Sequence, residues 1–230
     1  MVEPHAGGAM TTALRLRAGS IDALSRYVAS QLGMFPAGGF DADVECVQAL
    51  LGPTLERMRP ILEAVRAFDA TAFDHFHSLQ YASFLYLLAN ESWRRRAGDR
   101  LPDRLFALNR ALNAIDLFYA VCMPEVFFIS HGVGSVLGNA TYGSRLVFFQ
   151  NVTVGRVGED RPAIGANVVL YAGAVVTGSA VVGDDCVVAA GTVVHNTTIP
   201  ENTVVASRGG ELRLKPRTRD FSGLYLHPTG

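Results

Sequence analysis

Residues 164–199 read IGANVVLYAGAVVTGSAVVGDDCVVAAGTVVHNTTI, and this stretch decides the fold. Aliphatic residues recur in it at every sixth position without a slip, at Ile164, Leu170, Val176, Val182, Val188 and Val194. A helix repeats about every 3.6 residues and a strand about every two, so neither produces this spacing. A solenoid of short strands and tight corners does, because each six-residue side contributes one inward side chain. The sequence therefore predicts a β-helix.

Two further columns support the same geometry. A second aliphatic row comes at Val169, Val175, Val181, Val187, Val193 and Ile199. Small residues form a column at Ala174, Ala180, Cys186, Thr192 and Thr198. One side of such a coil cannot bury its aliphatic residue alone, so we expect successive coils to stack on one another.

The repeat continues upstream with one interruption. The inward row is predicted to extend backwards through Val154, Phe148, Tyr142 and Val136. Ten residues then separate Val154 from Ile164, which predicts that residues 156–162 bulge out as a loop. An inserted loop on a regular solenoid usually lies on its working face, and this one contains Arg161.

The first half of the chain has the helical period instead. Helices are predicted over residues 21–32, behind an N-cap at Ser20, and over 41–68, 76–96 and 104–118. We therefore expect an α-helical domain at 1–118, a β-helix domain at 119–207 and a C-terminal tail at 208–230.

Composition argues against several classes of function. A formal net charge of −1 offers no overall attraction to nucleic acid or to an anionic membrane. No apolar run is long enough to span a bilayer, and the opening MVEPHAGGAMTT lacks the features of a signal peptide.

The three cysteines predict buried thiols in a reducing compartment, hence a cytoplasmic protein. The basic residues 94–96, with Arg100 and Arg104, are interpreted as a solvated helix end.

Four motifs occur in order along the chain: FHSLQ (76–80), SHGVGSVLG (130–138), QNVTVG (150–155) and GEDRPAIG (158–165). Together they resemble the signatures of the serine O-acetyltransferase family of hexapeptide-repeat acyltransferases, as a divergent member. The resemblance implies an N-terminal α-helical domain followed by a left-handed parallel β-helix. It also implies homotrimers, which in this family often pair into hexamers, and acetyl-CoA or another acyl-CoA as co-substrate, with no metal.

The resemblance assigns a catalytic pair. His131 occupies the position of the catalytic histidine, and histidine suits general-base work because its ordinary pKa lies near neutrality. Asp116 lies at the matching separation upstream of it, where the family has an aspartate that orients the histidine. The motif around Asp116 has been lost, so an ordinary aspartate at a helix end is the alternative interpretation.

The resemblance also suggests ligand-binding positions. Gly155, Ala172 and Ala190 match the small residues that let coenzyme A approach the backbone, although each also fits a corner of the solenoid. Arg213 and Lys215 are candidate partners for the nucleotide phosphates.

The acceptor site departs from the family pattern. The family's aspartate before the catalytic histidine is replaced by Ser130, and the histidine after Arg161 by Pro162. A hydroxyl is a poorer partner for an ammonium group than a carboxylate is. Arg161 remains a candidate for a substrate carboxylate, and Asp69, with Asp74 as the alternative, for the amine. We therefore expect a serine-like small molecule, and not free L-serine, to be the best acceptor.

Three other functions compete with this prediction. A hexapeptide acyltransferase acting on a sugar or antibiotic hydroxyl typically lacks a helical half of this kind. A catalytically silent trimeric scaffold would explain the lost substrate residues but not the retained His131. A β-helical carbonic anhydrase needs three clustered histidines, and the sequence does not supply them. A coenzyme A-dependent O-acyltransferase is the preferred prediction.

Overall fold

A computed structural model describes residues 14–97 and 100–228. The opening segment, for which no signal peptide is predicted, lies outside these residues. The helices are α1 (Ile21–Leu32), α2 (Phe40–Ala64), α3 (Ser78–Arg95) and α4 (Leu101–Asn113), with a short 3-10 helix at Ser222–Leu224. The strands are β1 (Arg15–Leu16), β2 (Ala72–Phe73), β3 (Asp116–Leu117), β4 (Phe127–Ile129), β5 (Val136–Leu137), β6 (Thr141–Tyr142), β7 (Leu146–Phe148), β8 (Thr153–Gly155), β9 (Ala163–Ile164), β10 (Val169–Leu170), β11 (Val175–Thr177), β12 (Val181–Val182), β13 (Val187–Val188), β14 (Val193–His195), β15 (Thr198–Ile199), β16 (Thr203–Arg208) and β17 (Glu211–Pro216).

Strands β3 to β16 wind into a parallel β-helix with three faces. The first face stacks β4, β7, β10, β13 and β16, the second stacks β3, β5, β8, β11 and β14, and the third stacks β6, β9, β12 and β15. On the second face Val154 pairs with Val176 and Val176 with Val194, so the same point of successive coils lies in register. The predicted fold, a helical region followed by a parallel β-helix, is confirmed.

The interior of the β-helix follows the six-residue rows, with two corrections. All six residues of the inward row from Ile164 to Val194 are buried. Val136 is 39% exposed and Leu137 points inward in its place, because the corner between Leu137 and the inward Tyr142 is one residue shorter. Ile199 was predicted in the second row but pairs with the inward Val182 and is buried, since the last coil is one residue shorter.

The corner between the third and first faces is built from stacked glycines. A Cβ on Gly165 would lie 2.3 Å from the Asp184 carboxylate and 2.8 Å from the Gly183 carbonyl carbon. Gly143 meets the backbone of Gly165 in the same way, with a Cβ only 2.3 Å from its carbonyl carbon. These glycines are required because adjacent coils approach too closely for any side chain.

The helical region matches the predicted helices, although two of them end earlier than predicted. The second was predicted to run to residue 68 but stops at Ala64, where Val65 is extended. Ser20 caps α1 by accepting a hydrogen bond from the Ala23 N–H at 3.0 Å, as predicted. The last helix was predicted to run to residue 118 but stops at Asn113, where Ala114 adopts a left-handed backbone with φ of 51°. Asp116 therefore belongs to a strand, and its interpretation as a helix-end residue is wrong.

The basic residues after α3 do not form one solvated group. Arg104 is buried and makes a two-pronged ion pair with Asp43, at 2.6 and 2.7 Å. It also donates to the backbone carbonyls of Phe35 and Leu32. For Arg104 the prediction of a solvated helix end is wrong, because its guanidinium joins α4 to the first two helices.

The C-terminal segment 217–228 ties the two regions together. It leaves the last coil with an Arg217–Asp185 ion pair at 2.8 Å and runs back across the outside of the first face. Tyr225 contacts Phe149 and Tyr171 there, and Leu226 forms a bridge with Val65 just after α2. The outward side chains of the first face are consequently buried, including Val147 and Val169.

The three cysteines lie in different environments. Cys186 is buried in the β-helix, and burial raises the pKa of its thiol. Cys122 is exposed, so the prediction of buried thiols is wrong for this residue. Across the described ranges, none of the helices combines the length and apolar character that a membrane span requires.

Candidate functional site

His131 lies at the corner between the first and second faces, two residues after β4. Its backbone is left-handed, with φ of 51°, which is uncommon for a residue with a side chain. The next residue must be glycine, because a Cβ on Gly132 would lie 2.4 Å from Ile129 and 2.9 Å from Ile115. Asn151, Asn167 and Asp185 adopt the same conformation at other corners of the β-helix, so it is a property of these corners. The side chain of His131 is exposed.

Small residues stack along the same corner in the coils below Val133. The carbonyls of Val133, Gln150 and Ala172 each accept a hydrogen bond from the backbone of the next coil, at 2.9 to 3.0 Å. These bonds align Val133 with Gln150, Ala172 and Ala190, and His131 lies two residues before this column. The amide oxygen of Gln150 is buried and has no hydrogen-bond partner within the described part of the chain. The corner therefore offers a narrow column with an open acceptor next to the histidine loop.

Gly155 lies at the opposite edge of the second face. It pairs with Thr177 at the corner toward the third face. A Cβ added to Gly155 would meet nothing within 4 Å, in contrast to the glycines that the stacked coils require. The packing of a single chain does not explain this glycine, so close approach of a ligand or of another chain is the better interpretation.

Asp116 is near the histidine loop but is not bonded to His131. Its N–H donates to the Ser135 carbonyl at 2.9 Å, so β3 runs beside the loop that carries His131. Its carboxylate faces Arg110, at 3.6 Å. Among residues 14–97 and 100–228, no ion pair or hydrogen bond joins Asp116 to His131. The two predicted catalytic residues are brought into one neighbourhood without forming a dyad.

The three predicted acceptor ligands lie in different places. Asp69 follows α2, where hydrogen bonds from Thr71 hold the pKa of its carboxyl below the ordinary value, and it pairs with Arg15 at 3.1 Å. Arg161 is exposed on the loop 156–162, at the corner between the second and third faces. Ser130 is buried beside His131, and its N–H donates to the Phe148 carbonyl.

A cavity of about 380 Å³ opens beside His131. Its wall combines the start of α3, the end of α4 and the histidine loop, and is formed by Ser78, Leu79, Ala82, Leu112, Asn113, Ala114, Ile115, His131, Gly132 and Val133. Sequence reasoning found the helix through its FHSLQ motif but did not assign Ser78 or Leu79 to a site. It gave no signal for Asn113, since only the fold brings the end of α4 to the histidine.

The described residues include no group of three or more histidine, cysteine or acidic side chains arranged to hold a metal ion. The polar chemistry of the cavity wall is that of one imidazole, one hydroxyl and one amide, which suits proton transfer to and from a hydroxyl group.

The fold agrees with that of known proteins that this chain resembles. Residues 161–196 match the family described as bacterial transferase hexapeptide (six repeats). These repeats define a hexapeptide class of β-helix.

Within that class the similarity is to serine acetyltransferases. The serine acetyltransferase of Staphylococcus epidermidis is 27% identical over 135 residues, which cover 54% of this chain and 62% of that protein. The chain thus spans less than two thirds of the curated relatives that it matches. The crystal structure of the Neisseria gonorrhoeae serine acetyltransferase superposes with a TM-score of 0.67 at 20% identity, covering 88% of this chain and 80% of that one. A serine acetyltransferase solved in complex with CoA gives a TM-score of 0.62 at 18% identity, covering 84% of each chain. The resemblance predicted from the motifs is confirmed.

Proposed function

We propose that this protein is an acyl-CoA-dependent O-acyltransferase of the serine acetyltransferase type, with His131 as its general base. The observation that carries the proposal is the position of His131, which is exposed at the corner between two faces and forms part of the wall of a cavity. The resemblance of the chain to serine acetyltransferases in sequence and fold supports the same reaction.

The reaction needs one proton-transfer group. An acceptor hydroxyl bound in the cavity attacks the thioester carbonyl, and His131 takes the hydroxyl proton as the new C–O bond forms. The tetrahedral intermediate then collapses, the C–S bond breaks, and the imidazolium returns the proton to the departing thiolate. The products are the acyl ester and free coenzyme A.

Asp116 is proposed to assist as a positioning residue. A carboxylate beside an imidazole fixes its tautomer and stabilises its protonated form. In the structure Arg110 holds this carboxylate, so the assistance requires the Asp116 side chain to turn toward the histidine loop.

The acyl donor is proposed to be acetyl-CoA or a related acyl-CoA. Ala172 and Ala190 lie in the corner column below Val133 and Gly155 at the far edge of the second face, so the donor would lie against this face. A serine acetyltransferase with this fold binds CoA, which supports the assignment. We keep Arg213 and Lys215 only as predictions for the phosphates, since Arg213 already pairs with Glu211 at 2.7 Å.

A homotrimer is proposed as the assembly, with pairing of trimers as a further prediction. The C-terminal segment covers the first face, so neighbouring copies would meet on the other two. Those faces carry outward valines that are 39 to 50% exposed, namely Val136, Val181 and Val193. Apolar rows of this kind are typical of protein interfaces.

Two further properties remain predictions. They are the division of the chain into domains at residues 118 and 207 and a cytoplasmic location.

The test is thiol release from acetyl-CoA over a panel of hydroxy amino acids and related alcohols. We expect turnover with at least one acceptor by the wild type and a loss of about 10²-fold or more in His131→Ala. Equal turnover by the variant would exclude His131 as the base. Absence of turnover with every acceptor would favour the silent trimeric scaffold.

A further inference from the structure

The outer surface of the second face carries a second exposed histidine. Burial alternates along strand β14, so Val194 points into the β-helix while Val193 and His195 point outward. The register of β8, β11 and β14 places His195 in one column with Gly155 and Thr177. Gly155 is the glycine whose Cβ would meet only open space. The same column therefore joins an open glycine to an accessible imidazole.

Neighbouring side chains hold His195 in place. The Thr177 hydroxyl lies 3.1 Å from Nδ1 of the ring, which is a hydrogen-bond distance. The Thr197 hydroxyl donates to the His195 carbonyl at 2.8 Å. The side-chain oxygen of Asn196 accepts a hydrogen bond from the Ser179 N–H at 2.9 Å, which fixes the next corner. Because Thr177 engages Nδ1, a ligand would bond to the other ring nitrogen, Nε2.

His195 and His131 lie at different levels of the β-helix. The second-face strands stack in the order β5, β8, β11 and β14, and β5 follows the corner that carries His131. Three strand spacings therefore separate the two histidines along the axis, about 14 Å, because neighbouring strands lie about 4.8 Å apart. In a homotrimer whose copies pack side by side with their coils level, the same separation applies to His195 of a neighbouring copy.

The proposed donor connects these two levels. Acyl-CoA carries its thioester at one end and its phosphates at the other, joined by a long flexible arm. With the thioester at His131, the arm would run along the second face past Ala172 and Ala190. Ala190 belongs to the same coil as His195, at the corner where β14 begins. The phosphate end of the donor is therefore expected at the level of His195, and an imidazole N–H bonds strongly to a charged phosphate oxygen.

We propose that His195 binds a phosphate group of the acyl donor through Nε2, with Thr177 as the positioning residue that orients its ring. This inference rests on the proposed acyltransferase function and assigns a donor-binding residue that none of the four motifs contains. The diphosphate and the 3′-phosphate of coenzyme A offer the same chemistry, so the choice of donors in the experiment separates them.

The experiment compares wild type and His195→Ala with three donors. They are acetyl-CoA, acetyl-dephospho-CoA, which lacks the 3′-phosphate, and acetyl-pantetheine, which lacks every phosphate. Thiol release with the best acceptor of the panel gives kcat and KM. We expect His195→Ala to raise KM for acetyl-CoA about tenfold with kcat unchanged, because the lost contact is a hydrogen bond to a charged group away from the reacting atoms.

The shortened donors locate the contact. For acetyl-pantetheine, kcat/KM should be equal in the variant and the wild type, since this donor has no phosphate to lose. If the variant also raises KM for acetyl-dephospho-CoA, His195 binds the diphosphate. If it does not, His195 binds the 3′-phosphate.

Two further substitutions test the orientation of the ring. Thr177→Val removes the hydroxyl, keeps the branched shape and should raise KM for acetyl-CoA about threefold. Thr177→Ser keeps the hydroxyl and should retain the wild-type KM. The matched control is His227→Ala, which removes an exposed histidine from the C-terminal segment across the first face and should leave KM for every donor unchanged.

The possible failures are distinguishable. An unchanged KM for acetyl-CoA in His195→Ala would overturn this inference and leave the acyltransferase proposal standing. An equal loss of kcat/KM with acetyl-pantetheine would do the same, as would a smaller assembly of the variant in light scattering, because His195 would then belong to the contact between copies. Absence of thiol release by the wild type with acetyl-CoA and every acceptor would overturn both proposals.

Discussion

The β-helix and the helical region are stabilised in different ways. In the β-helix each coil repeats the contacts of the one before it, with an inward aliphatic residue, a strand in register and a tight corner. The helical region depends on contacts that occur once, such as the Arg104–Asp43 ion pair and the carboxylate of Glu91 shared by three arginines. A repeated contact leaves a period in the sequence, whereas a single long-range contact leaves none.

Breaking the Arg104–Asp43 pair should have the largest effect on stability. Arg104→Ala leaves the buried carboxylate of Asp43 without a partner and removes donors from two backbone carbonyls, so we expect a loss of about 3–5 kcal/mol in the free energy of unfolding. Urea denaturation measures it. Arg26→Ala removes an exposed ion pair from Asp22 and should change stability by no more than about 0.5 kcal/mol.

Equal effects of the two arginine variants would mean that Arg104 does not organise the helical region. The contrast between a singular buried contact and the repeated contacts of the β-helix would then fail.

Two glycines separate structural from ligand-related positions in the β-helix. Gly165→Ala places a Cβ against the neighbouring coil and should cost about 1–3 kcal/mol. Gly155→Ala meets open space and should alter stability by no more than about 0.5 kcal/mol, while it weakens acetyl-CoA binding by filling the proposed contact surface. Thermal unfolding and acetyl-CoA titration of both variants provide the measurements. A stability loss of similar size in both would assign Gly155 to packing instead.

The smallest expected effect is the pH dependence of the stability that the ion pairs of Glu91 contribute to the helical region. Burial tends to raise the pKa of Glu91, but hydrogen bonds from Arg95 and Arg57 outweigh it and hold the pKa below the ordinary 4.5. A carboxyl with a lowered pKa contributes stability above its ordinary pKa, and the contribution is lost as the pH falls through the folded-state value. Glu91→Gln should therefore cost about 1 kcal/mol at pH 7, since its partners are partly exposed, and less below pH 4.5.

Denaturation of wild type and Glu91→Gln at pH 7 and at pH 3.5 tests whether the difference in stability between them shrinks in acid, as predicted. A difference that grows in acid would contradict the assignment, because it would mean that protonation strengthens this cluster.

The predictable parts of the fold are those that depend on local spacing. The inward row and the capped helix α1 could be read from the sequence, because period and cap are local properties. Leu137 and the early end of α4 could not, because the short corner before Tyr142 and the left-handed Ala114 alter the count within single turns.

The candidate site shows the same division. His131 was found through a motif, and the structure places it at a cavity wall. Asn113 at that wall was missed, because side chains from distant segments meet only after the helices pack on the first coil. Asp69 lies outside the wall, and its role as an acceptor ligand stays a prediction. Sequence spacing therefore predicted the solenoid better than the composition of this cavity.

The central claim is that this β-helix carries an acyl-CoA site whose chemistry depends on His131. Calorimetric titration of acetyl-CoA into wild type and His131→Ala, with thiol release measured on the same samples, tests it most directly. The account predicts binding of similar affinity by both proteins, with transfer to an acceptor only by the wild type. Absence of acetyl-CoA binding by the wild type, or unchanged transfer by the variant, would contradict it.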